Sequence, residues 1–220
     1  TYEAPQASGG NAEGLRRLRT LMAGASVDAF LVPRADEHQG EYVPRCAERL
    51  AWLTGFTGSA GLAVIAKADA ALFVDGRYVV QAPRQVDTKA FEVLLIPAAR
   101  LDEWLGNKLK AGAVVGFDPK LHTQSMLEDL AKPLEAKGIR LKALGSNLLD
   151  RAWGKERPAA PTSPIVPHAL KYAGKSAEAK IAELQAALRK DEADAAVLTL
   201  PDSIAWLFNI RGSDVAHNPV

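Results

Sequence analysis

The chain opens with a stretch in which apolar residues recur at helical spacing. These residues, which have arginines between them, are Leu15, Leu18, Leu21 and Met22. The spacing places them on one face, so the pattern predicts an amphipathic helix whose apolar stripe covers a sheet. Ala29–Pro33 follows Asp28 as a short apolar run, which predicts a buried strand, and residues 34–41 form a polar loop after it.

A glycine-containing segment occupies residues 54–61 and is followed by two apolar runs, residues 62–66 and 71–74. A short polar turn separates the two runs, which predicts a β-hairpin after a glycine loop. Residues 77–86 then return to helical spacing. Pro83 is expected to kink that helix or to end it early, because proline lacks the N–H that a helix interior needs.

Strand and helix patterns continue to alternate after the hairpin. Residues 93–96 and 113–117 are strand-like, and residues 101–109 are helix-like. A further helix is predicted from Thr123 and Gln124 to about residue 137, with Gly138 placed to end it. This alternation predicts an α/β fold.

A proline-rich stretch separates two parts of the chain. Residues 157–167 have the sequence RPAAPTSPIVP, and its four prolines disfavour a regular element and favour an extended connector. We therefore expect a domain boundary here. The predicted organisation is a flexible N-terminus over residues 1–14, a first domain over residues 15–157, and a linker with a second domain over residues 158–220.

The part after the linker predicts helix, strand and helix. Ser176 precedes a strongly periodic helix, residues 195–200 predict a strand, and residues 201–208 predict a helix that opens with proline. Trp206 and Phe208 are expected to pack in the core of this second domain. These elements cannot close a core alone, since a single strand has no partner for its backbone groups. Either they dock on the first domain or the second domain is truncated, and we favour truncation. No internal repeat is evident in the sequence.

Charge and cysteine content narrow the class of protein. With 27 Lys and Arg against 26 Asp and Glu, the net charge of +1 provides no overall field for nucleic acid or an anionic membrane. The single cysteine, Cys46, excludes an intrachain disulfide and fits a reducing compartment, so we expect a cytoplasmic protein. The longest apolar runs fall far short of the ~20 residues of a membrane helix, and no membrane partner is expected.

Two nucleophile candidates are weak. Ser59 lies in the glycine segment, but Thr57 stands where a nucleophile elbow needs glycine, and a strand rather than a helix follows. The glycines at positions 55, 58 and 61 match neither a dinucleotide fingerprint nor a phosphate loop, which favours tight turns instead. Cys46 has Arg45 and Arg49 nearby, yet no paired histidine is evident, so we expect it to pack in the interior. No catalytic residue is predicted in this segment.

One polar loop is the best local candidate for a metal site. Its members are Asp36, Glu37, His38 and Glu41. The other histidines are isolated, and neither HExxH nor the calcium-loop spacing occurs in the sequence. We therefore expect a solvated loop that lines a partner's site, with no bound cofactor or metal in this segment.

The turn after the second strand of the hairpin has a more specific pattern. Asp75-Gly76 is followed by Arg77, which places a guanidinium at a predicted helix start, where the helix dipole does not favour a cation. One interpretation is an Asp–Arg pair that stabilises the turn. The other is that Arg77 binds a peptide carboxylate or a neighbouring subunit.

Several stretches, in chain order, closely resemble the start of cytosolic-type Xaa-Pro aminopeptidases. They are residues 33–42, 49–61, 74–78, 81–82, 116–119, 147–150 with Trp153, 202–215 and 217–220. The matching stretches extend from about Leu15 to the last residue. No single short motif is decisive, but the ordered series is specific.

The resemblance implies a creatinase N-terminal-like α/β domain, a mixed sheet flanked by helices, followed by the start of a second similar domain. It further implies a homo-oligomeric hydrolase that removes the residue before proline from short peptides. Its pita-bread catalytic domain, absent from this chain, would hold two divalent metals, usually manganese. By the same resemblance, this part shapes access to the active site and contributes to oligomer contacts. Arg77 and His38 are the candidates to contact substrate or a neighbouring subunit.

Two alternatives remain open at this point. One is a stand-alone creatinase-like module that binds a peptide or protein, against which the near-neutral charge argues. The other is a prolidase or creatinase relative, which would share the architecture but agree less well with the stretches given above.

Overall fold

The structure, a computed structural model, describes residues 10–218. It divides into two compact units. The first contains the described residues up to Glu37 together with Cys46–Pro158, and the second contains His38–Arg45 together with the described residues from Ala159 on. Most of the N-terminal segment predicted to be flexible lies outside the described residues.

The first unit alternates helices and strands, as predicted. Its elements are α1 (Ala12–Gly24), β1 (Ala29–Pro33), α2 (Arg49–Thr54), β2 (Leu62–Ala66), β3 (Ala70–Val74), α3 (Gln81–Gln85), β4 (Glu92–Leu95), α4 (Leu101–Lys108), β5 (Val114–Phe117), α5 (Gln124–Glu135), β6 (Arg140–Ala143) and α6 (Leu148–Trp153). The strands form one sheet in the order β4-β3-β2-β1-β5-β6. Strands β1, β2 and β3 are antiparallel neighbours, while the pairs β3–β4, β1–β5 and β5–β6 are parallel. This confirms the mixed sheet flanked by helices.

Helix α1 begins earlier than its apolar pattern indicates. The side chain of Asn11 accepts a hydrogen bond from the N–H of Gly14 at 2.7 Å, so the helix starts at Ala12, three residues before Leu15. This bond satisfies one of the N–H groups that lack a partner at a helix start. Residues 12–14 therefore belong to a helix, which corrects the expectation of flexibility up to residue 14.

Strand β1 lies at the centre of the sheet and is buried on both faces. Phe30 and Val32 pack into the core layer that includes residues of α1, α2 and α6. Ala29 and Leu31 point to the opposite face and join the layer that includes residues of α4 and α5. Fully burying a side chain of this size contributes about 1.5–3 kcal/mol, so the two layers supply the main stabilisation of the first unit.

The single helix predicted over residues 77–86 is instead two short elements. Residues Gly76–Tyr78 form a 3₁₀ turn, and α3 follows separately. Pro83 lies inside α3 but only two residues after its start, where N–H groups have no intrahelical partner in any case. Strand β6 and helix α6 had not been predicted from their apolar patterns.

The second unit has fewer elements in its described residues. They are β7 (Val166–Pro167), α7 (Leu170–Ala173), α8 (Ala177–Lys190), α9 (Pro201–Phe208) and β8 (Ile210–Arg211). Strands β7 and β8 pair antiparallel. The side chain of Ser176 accepts a hydrogen bond from the N–H of Ala179 at 3.2 Å, and Pro201 opens α9, so both predicted helices are confirmed.

The prediction of a strand over residues 195–200 is wrong. These residues form neither helix nor strand, and all are exposed. The physical reason is that no described strand pairs with their backbone. The expectation that Trp206 and Phe208 form a core is wrong as well, because they are 57% and 51% exposed.

The two units share a local structure, which corrects the expectation of no internal repeat. Two residues after the end of α1 lies Ser26 at φ 55°, and two residues after the end of α8 lies Glu192 at φ 55°. The next N–H donates back to the helix in both cases, from Val27 to the oxygen of Met22 at 3.1 Å and from Ala193 to that of Leu188 at 2.9 Å. Non-glycine residues rarely adopt positive φ, so the match at the same position of two helix ends is specific.

Candidate functional site

Asp75 holds the side chain of Arg77 in a fixed orientation at the end of β3. Its Oδ1 accepts hydrogen bonds from the backbone N–H of Arg77 at 2.9 Å and from Nε at 3.0 Å, and its Oδ2 accepts one from Nη2 at 2.8 Å. The hydrogen bond from the guanidinium, followed by that from the backbone N–H, lowers the pKa of Asp75. The turn-stabilising pair is therefore present, and the Arg77 side chain remains 62% exposed.

Hydrogen bonds and a ring contact join the glycine loop, residues 54–61, to the turn that contains Arg77. The Tyr78 hydroxyl accepts a hydrogen bond from the N–H of Ser59 at 3.0 Å and lies 2.8 Å from the Ser59 hydroxyl. The Tyr78 ring meets the Phe56 ring edge-on, with centroids 5.1 Å apart. Ser59 thus pairs with a phenol rather than a histidine, so this contact positions the loop and supplies no general base.

A small amide network extends this surface. The N–H of Thr57 donates to Oε1 of Gln85 at 3.0 Å, and Nε2 of Gln85 donates to the Thr57 hydroxyl at 2.9 Å. Nε2 of Gln81 donates to Oε1 of Gln85 at 3.1 Å and reaches the Thr57 hydroxyl at 3.3 Å. These neutral groups can donate and accept hydrogen bonds, which suits them to hold a surface in shape or to bind a polar group.

The side chains of the polar loop around His38 differ in their solvent exposure. Asp36 is buried, whereas Glu37, His38 and Glu41 are exposed. The residues from His38 to Arg45 belong to the second unit, while Asp36, Glu37 and Arg77 belong to the first. Among residues 10–218, no group of three or more His, Cys, Asp or Glu side chains is arranged to hold a metal ion.

A buried ion pair joins α2 to α6, and local patterns gave no sign of it. Nε and Nη2 of Arg49 donate to the two carboxylate oxygens of Asp150 at 2.7 and 3.0 Å. Nη1 of Arg157 also lies 3.1 Å from Asp150, and its Nε donates to the backbone oxygen of Cys46 at 2.8 Å. Burial acts to lower the pKa of Arg49, but the hydrogen bond and charge of Asp150 outweigh it, so the pKa is raised. Cys46 itself is buried, as predicted.

A second polar cluster lies where β5 ends. Nδ2 of Asn147 donates to Asp118 at 2.9 Å, and Oδ1 of Asn147 accepts a hydrogen bond from the N–H of Leu149 at 2.9 Å, which begins α6. Nδ1 of His122 lies 2.9 Å from the backbone oxygen of Asp118, and burial lowers the pKa of His122. Two stretches that carry the resemblance, 116–119 and 147–150, therefore meet in space.

These features define an α/β domain that presents a fixed arginine and a hydrogen-bonded surface. Residues 15–148 match the family model described as Creatinase/Prolidase N-terminal domain, and residues 156–220 match a second model with the same description. The chain therefore belongs to the creatinase/prolidase N-terminal domain family, as its resemblance implied.

Curated relatives carry the name "Probable Xaa-Pro aminopeptidase P". The one from Ajellomyces dermatitidis is 42% identical over 212 residues, which cover 94% of this chain and 34% of that protein. The one from Neosartorya fischeri is 41% identical over 222 residues, which cover 100% of this chain and 34% of that protein. The chain thus spans about a third of the length of these relatives.

Two solved structures are also similar. The X-prolyl aminopeptidase from Caenorhabditis elegans, described as a cytosolic enzyme with a di-nuclear active site, matches with a TM-score of 0.85 and 34% identity, over 94% of this chain and 36% of that one. The N-terminal domain of the cytoplasmic peptidase PepQ from Mycobacterium tuberculosis matches with a TM-score of 0.51 and 28% identity, over 64% of this chain and 98% of that one. Within the described residues, no helix is long and apolar enough to cross a membrane.

Proposed function

We propose that this chain is the N-terminal, non-catalytic part of a metal-dependent Xaa-Pro aminopeptidase, a hydrolase that removes the residue before proline from short peptides. The observation that carries this proposal is the agreement with Xaa-Pro aminopeptidase P relatives across 94% of the chain at 42% identity. The high TM-score to the Caenorhabditis elegans enzyme supports it. The cytosolic description of that enzyme also supports a cytoplasmic location.

The metals of the proposed enzyme belong outside these residues. The Caenorhabditis elegans structure is described as having a di-nuclear active site, which supports two divalent metals, and manganese is our assignment. The described part of this chain does not fit such a centre, since it lacks a group of three or more metal-ligating side chains. We assign the chemistry to the part of these relatives' length that this chain does not cover, since the chain spans 34% of the relative from Ajellomyces dermatitidis.

The role we propose for this segment is to shape access to the active site and to contribute contacts within a homo-oligomer. Arg77 is suited to this role because Asp75 fixes its orientation while leaving 62% of its side chain exposed. A guanidinium held in this way can pair with the carboxylate of a peptide or of a neighbouring subunit. His38, exposed in its polar loop, is the second candidate.

Incubation with a short Xaa-Pro peptide and manganese tests which part of the polypeptide cleaves the peptide bond. The 23.5 kDa chain, its mass verified, is expected to release no N-terminal residue, whereas the full-length gene product is expected to release it. Release by the 23.5 kDa chain would show that the chemistry is wrongly assigned. No release by either protein would refute the activity itself.

The role of Arg77 is tested in the same full-length product. Arg77→Ala is expected to lower kcat/KM by about 10- to 100-fold, because a hydrogen bond to a charged group contributes about 1.5–3 kcal/mol. Arg84→Ala is the matched control, since Arg84 is also exposed and lies in the adjacent helix α3. Equal kcat/KM and equal oligomeric state for the two variants would remove Arg77 from the proposed contact.

A further inference from the structure

Exposed aliphatic side chains of the first unit gather at one edge of its sheet. Five large hydrophobic residues are exposed among the described residues of this unit, and four of them are Val79, Val80, Leu95 and Ile96. The fifth, Met126, lies on helix α5. A single exposed hydrophobic residue is ordinary on a protein surface, whereas a group of them marks a binding surface. We call the group of four the aliphatic surface.

Backbone pairing places the aliphatic surface beside Arg77. Leu95 is the register partner of Val74 where the parallel strands β3 and β4 end, and the N–H of Ile96 donates to the oxygen of Val74 at 3.0 Å. Arg77 follows Val74 by three residues, so its backbone lies within about 11 Å of Val74. The two valines of the aliphatic surface come directly after the 3₁₀ turn that contains Arg77. The turn, these valines and the end of β4 therefore lie together at one edge of the sheet.

The guanidinium of Arg77 gives this edge a charge preference. Asp75 uses two of its five N–H donors, through Nε and Nη2, and so orients the planar group. A guanidinium oriented in this way matches a carboxylate, which can accept two parallel hydrogen bonds from it. The complementary ligand has a carboxylate next to an aliphatic side chain. The C-terminal residue of a peptide that ends in leucine, isoleucine or valine has this chemistry.

The size of the aliphatic surface favours a peptide over a second copy of the chain as its occupant. A fully exposed aliphatic side chain offers on the order of 100 Å² of apolar surface. The four residues are 38–57% exposed, so together they offer roughly 200 Å². A stable protein interface buries about 800 Å² on each partner. The aliphatic surface is therefore large enough to cover one side chain and too small to hold a protein partner by itself.

We infer that this edge of the first unit binds the C-terminal residue of a short peptide that has a free carboxylate and an aliphatic last side chain. Arg77 pairs with the carboxylate, and the aliphatic surface covers the side chain. This inference rests on the proposed function, because it makes the edge a specificity site for the peptides that the enzyme cleaves. It adds a preference for the last residue of the peptide, which the Xaa-Pro bond itself does not set.

Cleavage of a peptide series by the full-length gene product tests this preference. The series is Ala-Pro followed by zero to four glycines and a last residue. At the best length, kcat/KM is expected to be about 10-fold higher for leucine than for serine as the last residue. It is expected to be at least about 10-fold lower for the leucine amide than for the free carboxylate, since the amide cannot form the charged pair.

The outcomes separate this inference from the proposed function. Cleavage with equal kcat/KM for leucine, serine and the leucine amide at every length would overturn the inference and leave the proposed function intact. No cleavage of any peptide would refute the proposed function, and a binding measurement on the 220-residue chain then decides the inference.

Matched variants assign the preference to named side chains. Val80→Ser is expected to lower the leucine-to-serine ratio of kcat/KM about 5-fold, because it removes part of the aliphatic surface. Val80 is the N-cap residue of α3, a position that accepts serine. Met126→Ser is the control and is expected to leave the ratio unchanged, because Met126 is similarly exposed but lies on α5. Arg77→Ala is expected to abolish the difference between carboxylate and amide. A merely structural role of Val80 would lower kcat/KM for all peptides equally, and that result would contradict the inference.

Methyl NMR of the 220-residue chain gives a readout that does not depend on cleavage. The methyl resonances of the aliphatic surface are expected to shift on titration with Ala-Pro-Gly-Gly-Leu, with a Kd at least about 10-fold weaker for its C-terminal amide. The methyl resonance of Met126 is the control and should not move. Absence of shifts at about 10 mM peptide would overturn the inference. Shifts that grow with protein concentration in the absence of peptide would assign the surface to a second copy and would overturn it as well.

Discussion

Replacing Asp150 with alanine removes the counter-ion of the most buried arginine among the described ion pairs. The Arg49 side chain is only 6% exposed, and both of its hydrogen-bonded nitrogens donate to Asp150. Its third nitrogen, Nη1, has no hydrogen-bond partner in the described structure, so the variant would leave the guanidinium buried without a bidentate partner. Breaking a buried pair from one side costs about 3–5 kcal/mol.

We expect the lower end of that range, about 3 kcal/mol, because Asp150 is itself 23% exposed and water can replace part of the lost interaction. Urea unfolding measures the loss. Near-ultraviolet circular dichroism is a suitable signal, since the stacked pair Trp52 and Trp153 lies on the helices that carry Arg49 and Asp150. The midpoint is expected to fall with an unchanged m-value.

Two further variants separate burial from charge alone. Asp75→Ala breaks the exposed pair with Arg77 and is expected to cost clearly less than Asp150→Ala, because solvent screens an exposed pair. The double substitution Arg49→Met with Asp150→Leu removes both charges and is expected to cost less than Asp150→Ala, because no buried charge is left unpaired. If Asp150→Ala cost less than about 1 kcal/mol, or no more than Asp75→Ala, the pair would not be buried in solution and the argument would fail.

Two other predictions concern the loop and the cluster at the end of β5. Gly58→Ala is expected to destabilise the first unit by about 1–3 kcal/mol in urea unfolding, because the added Cβ would overlap the Phe56 ring. Gly24→Ala is the control and is expected to be neutral or stabilising, because a Cβ there meets nothing within 4 Å. Equal effects of the two substitutions would contradict the packing of Gly58 against Phe56. Burial holds the pKa of His122 below its ordinary value. As the pH falls below about 6.5, the unfolded state therefore binds a proton before the folded state does. The free energy of unfolding decreases as the pH falls from about 6.5 to the lower pKa of the folded state. The Tm should therefore decrease as the pH is lowered from 7.5 to 5.5, and His122→Phe should reduce that decrease. If the variant showed the same dependence of Tm on pH, a group other than His122 would be responsible for it.

The sequence pattern predicted those elements whose burial follows a local period. The helix with Leu15 and Leu18, the buried strand β1 and the hairpin β2–β3 all appear where expected, because their apolar spacing matches the faces that the core covers. Strand β6 was missed because its alternation is weak: three of its four residues are exposed, as expected at a sheet edge. The family followed from stretches whose order, rather than any single motif, is specific.

The candidate site was predicted less completely, because its contacts join distant positions. The Asp75–Arg77 pair is two residues apart and could be foreseen, whereas the Arg49–Asp150 bonds join residues 101 apart. No periodicity encodes such a pair, since each partner on its own resembles an ordinary charged residue on a helix. Its recognition requires the packing of α2 against α6, which only the folded chain provides.

The segment 195–200 shows why an apolar, β-type pattern can still predict the wrong element. A strand is defined by hydrogen bonds to a neighbour, so apolar β-type residues without a neighbouring strand form no regular element and remain exposed, as Val197 does. The same type of segment, Ala29–Pro33, is buried in the first unit because β2 and β5 lie on either side of it. The end of the preceding helix is the same in both units, so the presence of neighbouring strands, and not the local sequence, distinguishes the two segments among the described residues.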